Sequence, residues 1–136
     1  MKYLTLLISI LFLISCNNKK FDFKFESNKD LYEKSVMEIL SNSQGEFELF
    51  SEKFYPDRLK NNDFDNTCLV MRSLGVTSIF KSRNCVLFYY DKEDIFNRKA
   101  DVLIYNSENC TVSVEPIIHK VYDDKWSEGR IESFLY

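Results

Sequence analysis

The sequence predicts an α+β fold in which an antiparallel meander of about five strands carries one main N-terminal helix on one face. Apolar residues at helical spacing come early in the chain, and alternating or continuous apolar runs follow one another later. Of the 136 residues, 45% are apolar and 15% are aromatic, whereas glycine and proline are few. This composition is typical of a single globular domain and excludes collagen-like, low-complexity and generally disordered chains.

The first patterned segments are a strand and a helix. Three phenylalanines alternate with charged residues: Phe21, Phe23 and Phe25. This period of two predicts a strand with one aromatic face. Ser27 and Asp30 then resemble a capping box, and the apolar stripe after them predicts a helix over 29–43 that Gly45 ends.

The middle of the chain predicts short elements. Alternation at 47–49 predicts a short strand, and the polar stretch 51–65 predicts a loop. Asp65 or Asn66 is then expected to cap a short helix that Gly75 ends.

The remaining strands are predicted from apolar runs: Val76–Lys81, Cys85–Tyr90, Ala100–Asn106 and Thr111–Tyr122. Polar turns at 82–84, 107–109 and 123–124 separate successive segments, and Arg130–Tyr136 is expected to close the sheet. Pro116 places the last apolar run at a sheet edge or a bulge, because proline cannot donate to the ladder.

The first fifteen residues have the organisation of a signal peptide. Lys2 provides a positive start, and Leu4–Ile14 is apolar except for two residues. The apolar run is shorter than the roughly twenty residues that cross a bilayer. A small residue, Ser15, and a cysteine, Cys16, follow it.

The run Leu13-Ile14-Ser15-Cys16 resembles the lipobox of bacterial lipoproteins. The resemblance implies that residues 1–15 are removed and that Cys16 is acylated, for example with palmitate, and becomes the first mature residue. The chain then divides into a signal peptide (1–15), a lipidated cysteine with a short tether (16–20) and one α+β domain (21–136). The alternatives are an uncleaved anchor or a chance cysteine.

The same resemblance bears on location. Lipoproteins held in the inner membrane tend to have aspartate after the lipidated cysteine, and Asn17 stands here. A lipid-anchored cell-envelope protein, on the outer membrane and facing the periplasm or the surface, is therefore expected. The rest of the chain, through Leu74-Gly75-Val76, the later strands and Trp126, only loosely resembles small uncharacterised bacterial lipoproteins, and this likeness implies no activity.

The charge of the mature chain is mildly negative. Removal of residues 1–15 takes away one of the 18 basic residues and leaves 17 against 21 acidic residues, a net charge of −4. Nucleic acid is excluded as a partner, because phosphate binding requires a concentrated positive surface. Lys19 and Lys20 either contact anionic lipid or are solvated.

Three cysteines remain once Cys16 is assigned to lipid, and an exported chain favours one disulfide among them. Coarse topology places Cys85 and Cys110 at the same end of the sheet, and a bond between them would contribute roughly 3 kcal/mol. Cys68 would then be a buried thiol on the short helix. Three buried cysteines without a disulfide remain the alternative. Zinc is not expected, because the sequence has no CxxC pair.

The sequence contains no complete catalytic or metal-binding motif. His119 is the single histidine, and no G-x-S-x-G elbow accompanies it. Asn61, Asp63 and Asp65 imitate the first half of a calcium loop, but Arg72 occupies the position that requires a glutamate. The carboxylates at 91–94 and 123–124 fall in predicted turns, where they lack the burial that acid–base catalysis requires.

Aromatic residues concentrate on the predicted sheet: Tyr89, Tyr90, Tyr105, Tyr122 and Trp126. They line either a binding face or the core, and aromatic residues on a sheet more often belong to the core. Together these patterns predict a non-catalytic, membrane-tethered binding or accessory module without a cofactor or metal. The membrane, through a lipid on Cys16, is its expected partner, and an envelope protein is a second candidate.

Two alternatives follow from the same residues. One is an inhibitor or immunity protein that blocks an envelope-acting toxin or hydrolase with an acidic, aromatic face. The other is a small hydrolase or isomerase, which would need a helix–sheet pocket of roughly several hundred Å³ with convergent polar groups.

Overall fold

The part of the chain that the structure describes forms two helices packed on an antiparallel sheet of seven strands. The computed structural model describes residues 20–50, 53–57, 59–93, 97–111 and 115–134. The helices are α1 (Phe25–Asn42) and α2 (Asp65–Leu74). The strands are β1 (Phe47–Phe50), β2 (Lys53–Tyr55), β3 (Ser78–Ser82), β4 (Cys85–Glu93), β5 (Asn97–Tyr105), β6 (Ile117–Val121) and β7 (Trp126–Phe134). The α+β class is confirmed.

The strand order is β2-β1-β3-β4-β5-β7-β6, and every neighbouring pair is antiparallel. Only β3, β4 and β5 follow one another as a simple meander. The expected number of about five strands is too low. One strand that sequence reasoning missed is β2, which lies in the predicted loop and buries a single side chain, Phe54. A strand this short is hard to detect from alternation.

The predicted strand at 21–25 is wrong. Residues 20–24 have no regular structure, and α1 begins at Phe25. The three phenylalanines still point inward, because Phe23 and Phe25 are buried and Phe21 stacks on Tyr90 with ring centroids 4.0 Å apart. Lys24 adopts a left-handed conformation with φ 50°, which breaks an extended run.

The regular part of α1 begins close to the predicted position. Asn28 has the non-helical angle φ −128° and separates a first turn from the rest of the helix. Ser27 therefore lies inside the helix. The C-terminal end is at Asn42, one residue before the predicted end.

Charged side chains from neighbouring elements bind the C-terminal end of α1 and the N-terminal end of α2. The buried Lys81 of β3 donates through Nζ to the carbonyl of Ser43, at 2.7 Å, just past the end of α1. Burial lowers the pKa of Lys81. At the start of α2, Glu38 accepts hydrogen bonds from the backbone N–H groups of Asn66 and Thr67, both at 2.9 Å. Each charge complements the dipole of the helix end that it contacts.

The prediction that Asp65 or Asn66 caps α2 is therefore wrong. The residue at the N-cap position is Phe64, and no side chain of its own segment caps the helix. The predicted end is correct, since Gly75 follows α2 in the left-handed conformation with φ 74°.

The last predicted run, 111–122, is a strand only over Ile117–Val121. Residues 112–114 of that run lie outside the described residues. Pro116 directly precedes β6, which is an edge strand with an irregular register between Ile118 and Lys120. The edge position and the irregular register both agree with the expectation that followed from Pro116.

Candidate functional site

The two faces of the sheet are covered differently. Alternate residues of β4, such as Phe88, pack under both helices in the main core, together with Leu103 of β5. The residues between them, such as Leu87 and Val102, form a second apolar cluster on the opposite side. Within the described chain, neither helix contributes to this second cluster. We call this side of the sheet the open face.

Four aromatic side chains lie on the open face, on β1 to β4: Phe50, Tyr55, Phe80 and Tyr89. Phe50 is 55% exposed and Tyr55 is 59% exposed. Phe80 and Tyr89 are partly buried against the second cluster. These four residues together with Glu48 are called the aromatic patch.

Glu48 lies at the centre of the patch. It is directly opposite Tyr55 of β2 on one side and directly opposite Phe80 of β3 on the other. Directly opposite side chains on one face have Cβ atoms about 4.5–5.5 Å apart. Glu48 is exposed, and within the described residues no lysine or arginine forms an ion pair with it. Within the described residues the patch therefore presents a carboxylate without an ion pair between two aromatic side chains.

Local negative charge also affects Tyr89. Burial first, and then the carboxylates of Asp91 and Glu48, raise the pKa of Tyr89 to about 12. The Thr77 hydroxyl holds Asp91 nearby, at 3.1 Å from its Oδ2 atom. The patch thus combines aromatic surface with two nearby carboxylates, and the exposed Lys53 of β2 lies on the same face, directly opposite Phe50.

The opposite end of the open face carries the disulfide. Cys85 and Cys110 are bonded, with their Cα atoms 5.1 Å apart, as expected from the sequence. Beside them a shallow cleft of about 430 Å³ is lined by the apolar side chains of Ile104, Pro116 and Ile118 and by polar groups of the 107–111 segment. His119 does not line this cleft.

His119 belongs to a polar network at the edge of the covered face. Its Nε2 atom lies 3.2 Å from Oε1 of the buried Glu128, and the Tyr122 hydroxyl donates to Oε2 of the same carboxylate at 2.6 Å. Burial, and next the bond to Glu128, raise the pKa of Tyr122 above its usual range. Lys120 completes the network, with its Nζ 4.3 Å from the Tyr122 ring centroid. The histidine contacts a carboxylate, which holds the bulged edge strand to β7.

The aromatic residues singled out from the sequence divide between the two faces. Tyr90, Tyr105, Tyr122 and Trp126 belong to the helix-covered core, where Trp126 is 1% exposed. Only Tyr89 lies on the open face. The core interpretation is therefore correct for four of the five.

Sequence reasoning missed Glu48, Phe50, Tyr55 and Phe80 as surface residues. In Phe47–Phe50 the burial alternates, so that Phe47 and Leu49 are buried while Glu48 and Phe50 are exposed. The alternation could have indicated two unlike faces on β1. Tyr55 lies on the strand that was predicted as loop.

Two of the acidic motifs noted in the sequence belong to turns of the fold. Asn61 and Asp63 belong to a short 3-10 turn that leads into α2 at Asp65. In the described parts of the chain no three His, Cys, Asp or Glu side chains are grouped to hold a metal ion. Asp123 accepts hydrogen bonds from the N–H groups of Lys125 and Trp126 and closes the β6–β7 turn.

The proposed lipid attachment at Cys16, the signal peptide and most of the tether lie outside the described residues. Among the residues that are described, no helix is long and apolar enough to cross a membrane. No protein-family model matches this chain, and neither the curated proteins nor the solved structures include a significant match.

Proposed function

We propose that this protein is a membrane-tethered binding module of the bacterial cell envelope that holds a partner protein on the aromatic patch. The observation that carries the proposal is the open face, where Phe50 and Tyr55 are each more than half exposed on the side of the sheet that both helices leave uncovered. Exposed aromatic residues in a contiguous group are typical of protein–protein contact sites.

The position of the N-terminal segment supports a tethered arrangement. The chain enters the domain at Phe21, whose N–H donates to Oδ2 of Asp101 at 2.6 Å and whose ring stacks on Tyr90. Both partners lie on the helix-covered face. The described chain therefore enters the domain on the side opposite the aromatic patch.

Lipid attachment at Cys16 is the first part of the proposal to test. Cells that produce the full chain are grown with a clickable palmitate analogue, and wild type is compared with Cys16→Ser. We expect label on the wild type and none on the variant, which is released from membranes or remains as an unprocessed precursor. Absence of label on the wild type would overturn the lipoprotein assignment.

The binding surface is tested by photo-crosslinking in the cell envelope. A photoreactive amino acid replaces Tyr55 in one variant and Met37 in a control, since Met37 is 68% exposed on α1. We expect a discrete crosslinked protein from position 55 and none from position 37. The same product from both positions, or none from position 55, would contradict a binding role for the open face.

A further inference from the structure

We propose that the aromatic patch binds a basic side chain, arginine in preference to lysine, of the partner protein, with Glu48 as its counter-ion. This inference rests on the binding function proposed above and specifies the chemistry of its partner.

The spacing of the strands leaves room for one planar cation over Glu48. Tyr55 and Phe80 lie on the two strands that flank β1, and neighbouring strands are about 4.8 Å apart. The two aromatic side chains therefore start about 10 Å from one another. Atoms in van der Waals contact are about 3.5–4.0 Å apart, so a guanidinium that contacts both rings needs about 7–8 Å.

The chemistry of the patch favours a cation with apolar surroundings. Aromatic faces attract guanidinium and ammonium groups, and a carboxylate pairs with guanidinium through two parallel hydrogen bonds. Phe50, two residues along β1 from Glu48, offers apolar contact to the methylene groups of the partner's basic side chain or to the partner residues beside it. The net charge of −4 on the mature chain agrees with a basic partner.

The patch has the features of a surface kept for binding. Within the described residues Glu48 has no ion-pair partner, and it is flanked by large aromatic side chains. Glu33, an exposed carboxylate on α1, is paired instead with Lys29 at 3.8 Å.

The test uses the lipidated full chain in detergent and an array of peptides with apolar flanks and a varied central residue. The central residue is arginine, lysine, citrulline, glutamine, glutamate or leucine. Citrulline has the shape of arginine without its charge. We expect arginine peptides to bind about tenfold more strongly than citrulline peptides, and we expect this ratio to fall as salt is added.

Two charge variants assign the effect to Glu48. Glu48→Gln should reduce the arginine-to-citrulline ratio to about one, whereas Glu33→Gln, which removes an equal charge from α1, should leave the ratio unchanged. Glu48→Lys should instead favour the glutamate peptides. Since Glu48 is exposed, the urea unfolding midpoints of these variants should match that of the wild type within error.

Equal binding of arginine and citrulline peptides, or an unchanged ratio in Glu48→Gln, would overturn the inference. If the crosslink from position 55 persists in that case, the binding function stands and only the basic partner is excluded. If the crosslink is absent as well, the open face is not the binding surface.

Discussion

Glu38 shows how one side chain can connect two helices. Its carboxylate accepts the N–H groups of Asn66 and Thr67 and also the Thr67 hydroxyl at 2.9 Å. The first N–H groups of a helix have no partner within the helix, and Glu38 supplies the partner from α1. Glu38 therefore holds the first turn of α2 against α1, together with the Ser35–Thr67 hydroxyl bond at 3.0 Å.

Glu38→Ala should lower the free energy of unfolding by about 2 kcal/mol, because it removes the cap of α2 and leaves partly buried N–H groups unbonded. Urea denaturation monitored by circular dichroism measures the change. Glu33→Ala is the control and should cost at most about 0.5 kcal/mol, because its exposed ion pair contributes little. If Glu38→Ala lowered the free energy of unfolding by no more than Glu33→Ala, the cap on α2 would not be important for stability.

Asp123 has a similar role at the β6–β7 turn. Oδ2 pairs with Nζ of Lys29 at 2.9 Å, and Oδ1 accepts the N–H groups of Lys125 and Trp126. The bond to Lys29 first, and then the two backbone bonds, hold the pKa of Asp123 below its ordinary value of 3.8, although partial burial opposes them.

A carboxyl whose pKa is lower in the folded state stabilises the fold above its unfolded pKa, and this contribution is lost as the pH falls through the folded pKa. Asp123→Asn should therefore be less stable than the wild type at pH 7, and the difference should shrink below about pH 4. Urea midpoints at pH 7, 5, 4 and 3 measure it. Asp124→Asn is the control at neutral pH and should change the stability by less than about 0.5 kcal/mol. If the stability difference between Asp123→Asn and the wild type stayed constant from pH 7 to pH 3, the role assigned to the Asp123 carboxylate would be contradicted.

At the scale of elements, β6 depends on a close approach of backbones at Gly129. A Cβ atom on Gly129 would lie 2.7 Å from the carbonyl oxygen of Ile117, and backbone cannot give way as a flexible side chain can. Glycine is needed here for space. The polar network of Glu128, His119 and Tyr122 holds the same strand from the other face of the sheet.

Gly129→Ala should displace β6 and lower the free energy of unfolding by about 1–3 kcal/mol. Hydrogen exchange of the β6 amides that bond to β7 should accelerate, while exchange in β4 should change much less. Ser127→Ala is the control on the same strand and face. Within the described residues the buried Ser127 hydroxyl has no hydrogen-bond partner, so its removal should be neutral or stabilising. Unchanged exchange in β6 of Gly129→Ala would contradict this account.

At the scale of the whole molecule, the disulfide ties the far end of the open face together. It joins the first residue of β4 to the segment after β5, 25 residues apart in sequence. The bond covers an apolar cluster that neither helix shields. The disulfide therefore stabilises this side of the sheet in place of part of the packing that a further helix would provide.

Reduction of the disulfide should lower the free energy of unfolding by about 3 kcal/mol, because the open loop gains freedom in the unfolded chain. Urea midpoints with and without reductant measure the loss in the wild type. The double variant Cys85→Ser with Cys110→Ser should show a comparable loss and no further response to reductant. A wild-type midpoint insensitive to reductant would contradict a stabilising disulfide.

The sequence by itself determined the α+β class, the approximate positions of most strands, the hairpin between β3 and β4 and the glycine end of α2. These features depend on local periodicity and turn chemistry, which can be recognised within about ten residues of chain. It also suggested the Cys85–Cys110 pair and the core position of Trp126. The run Leu13-Ile14-Ser15-Cys16, which resembles a lipobox, is likewise a local pattern, and lipid attachment at Cys16 is a proposal.

Only the tertiary structure decided which face of each strand is covered. Phe21, Phe23 and Phe25 alternate as a strand would, yet the first two pack from an irregular segment and Phe25 packs from the first residue of α1. The N–H of Phe21 bonds to the side chain of Asp101, 80 residues away in the chain. Phe47 and Phe50 have the same chemistry, but one is buried under the helices and the other is exposed on the open face. Which of them the helices cover depends on strand order and register, and these are set by contacts between residues far apart in the chain.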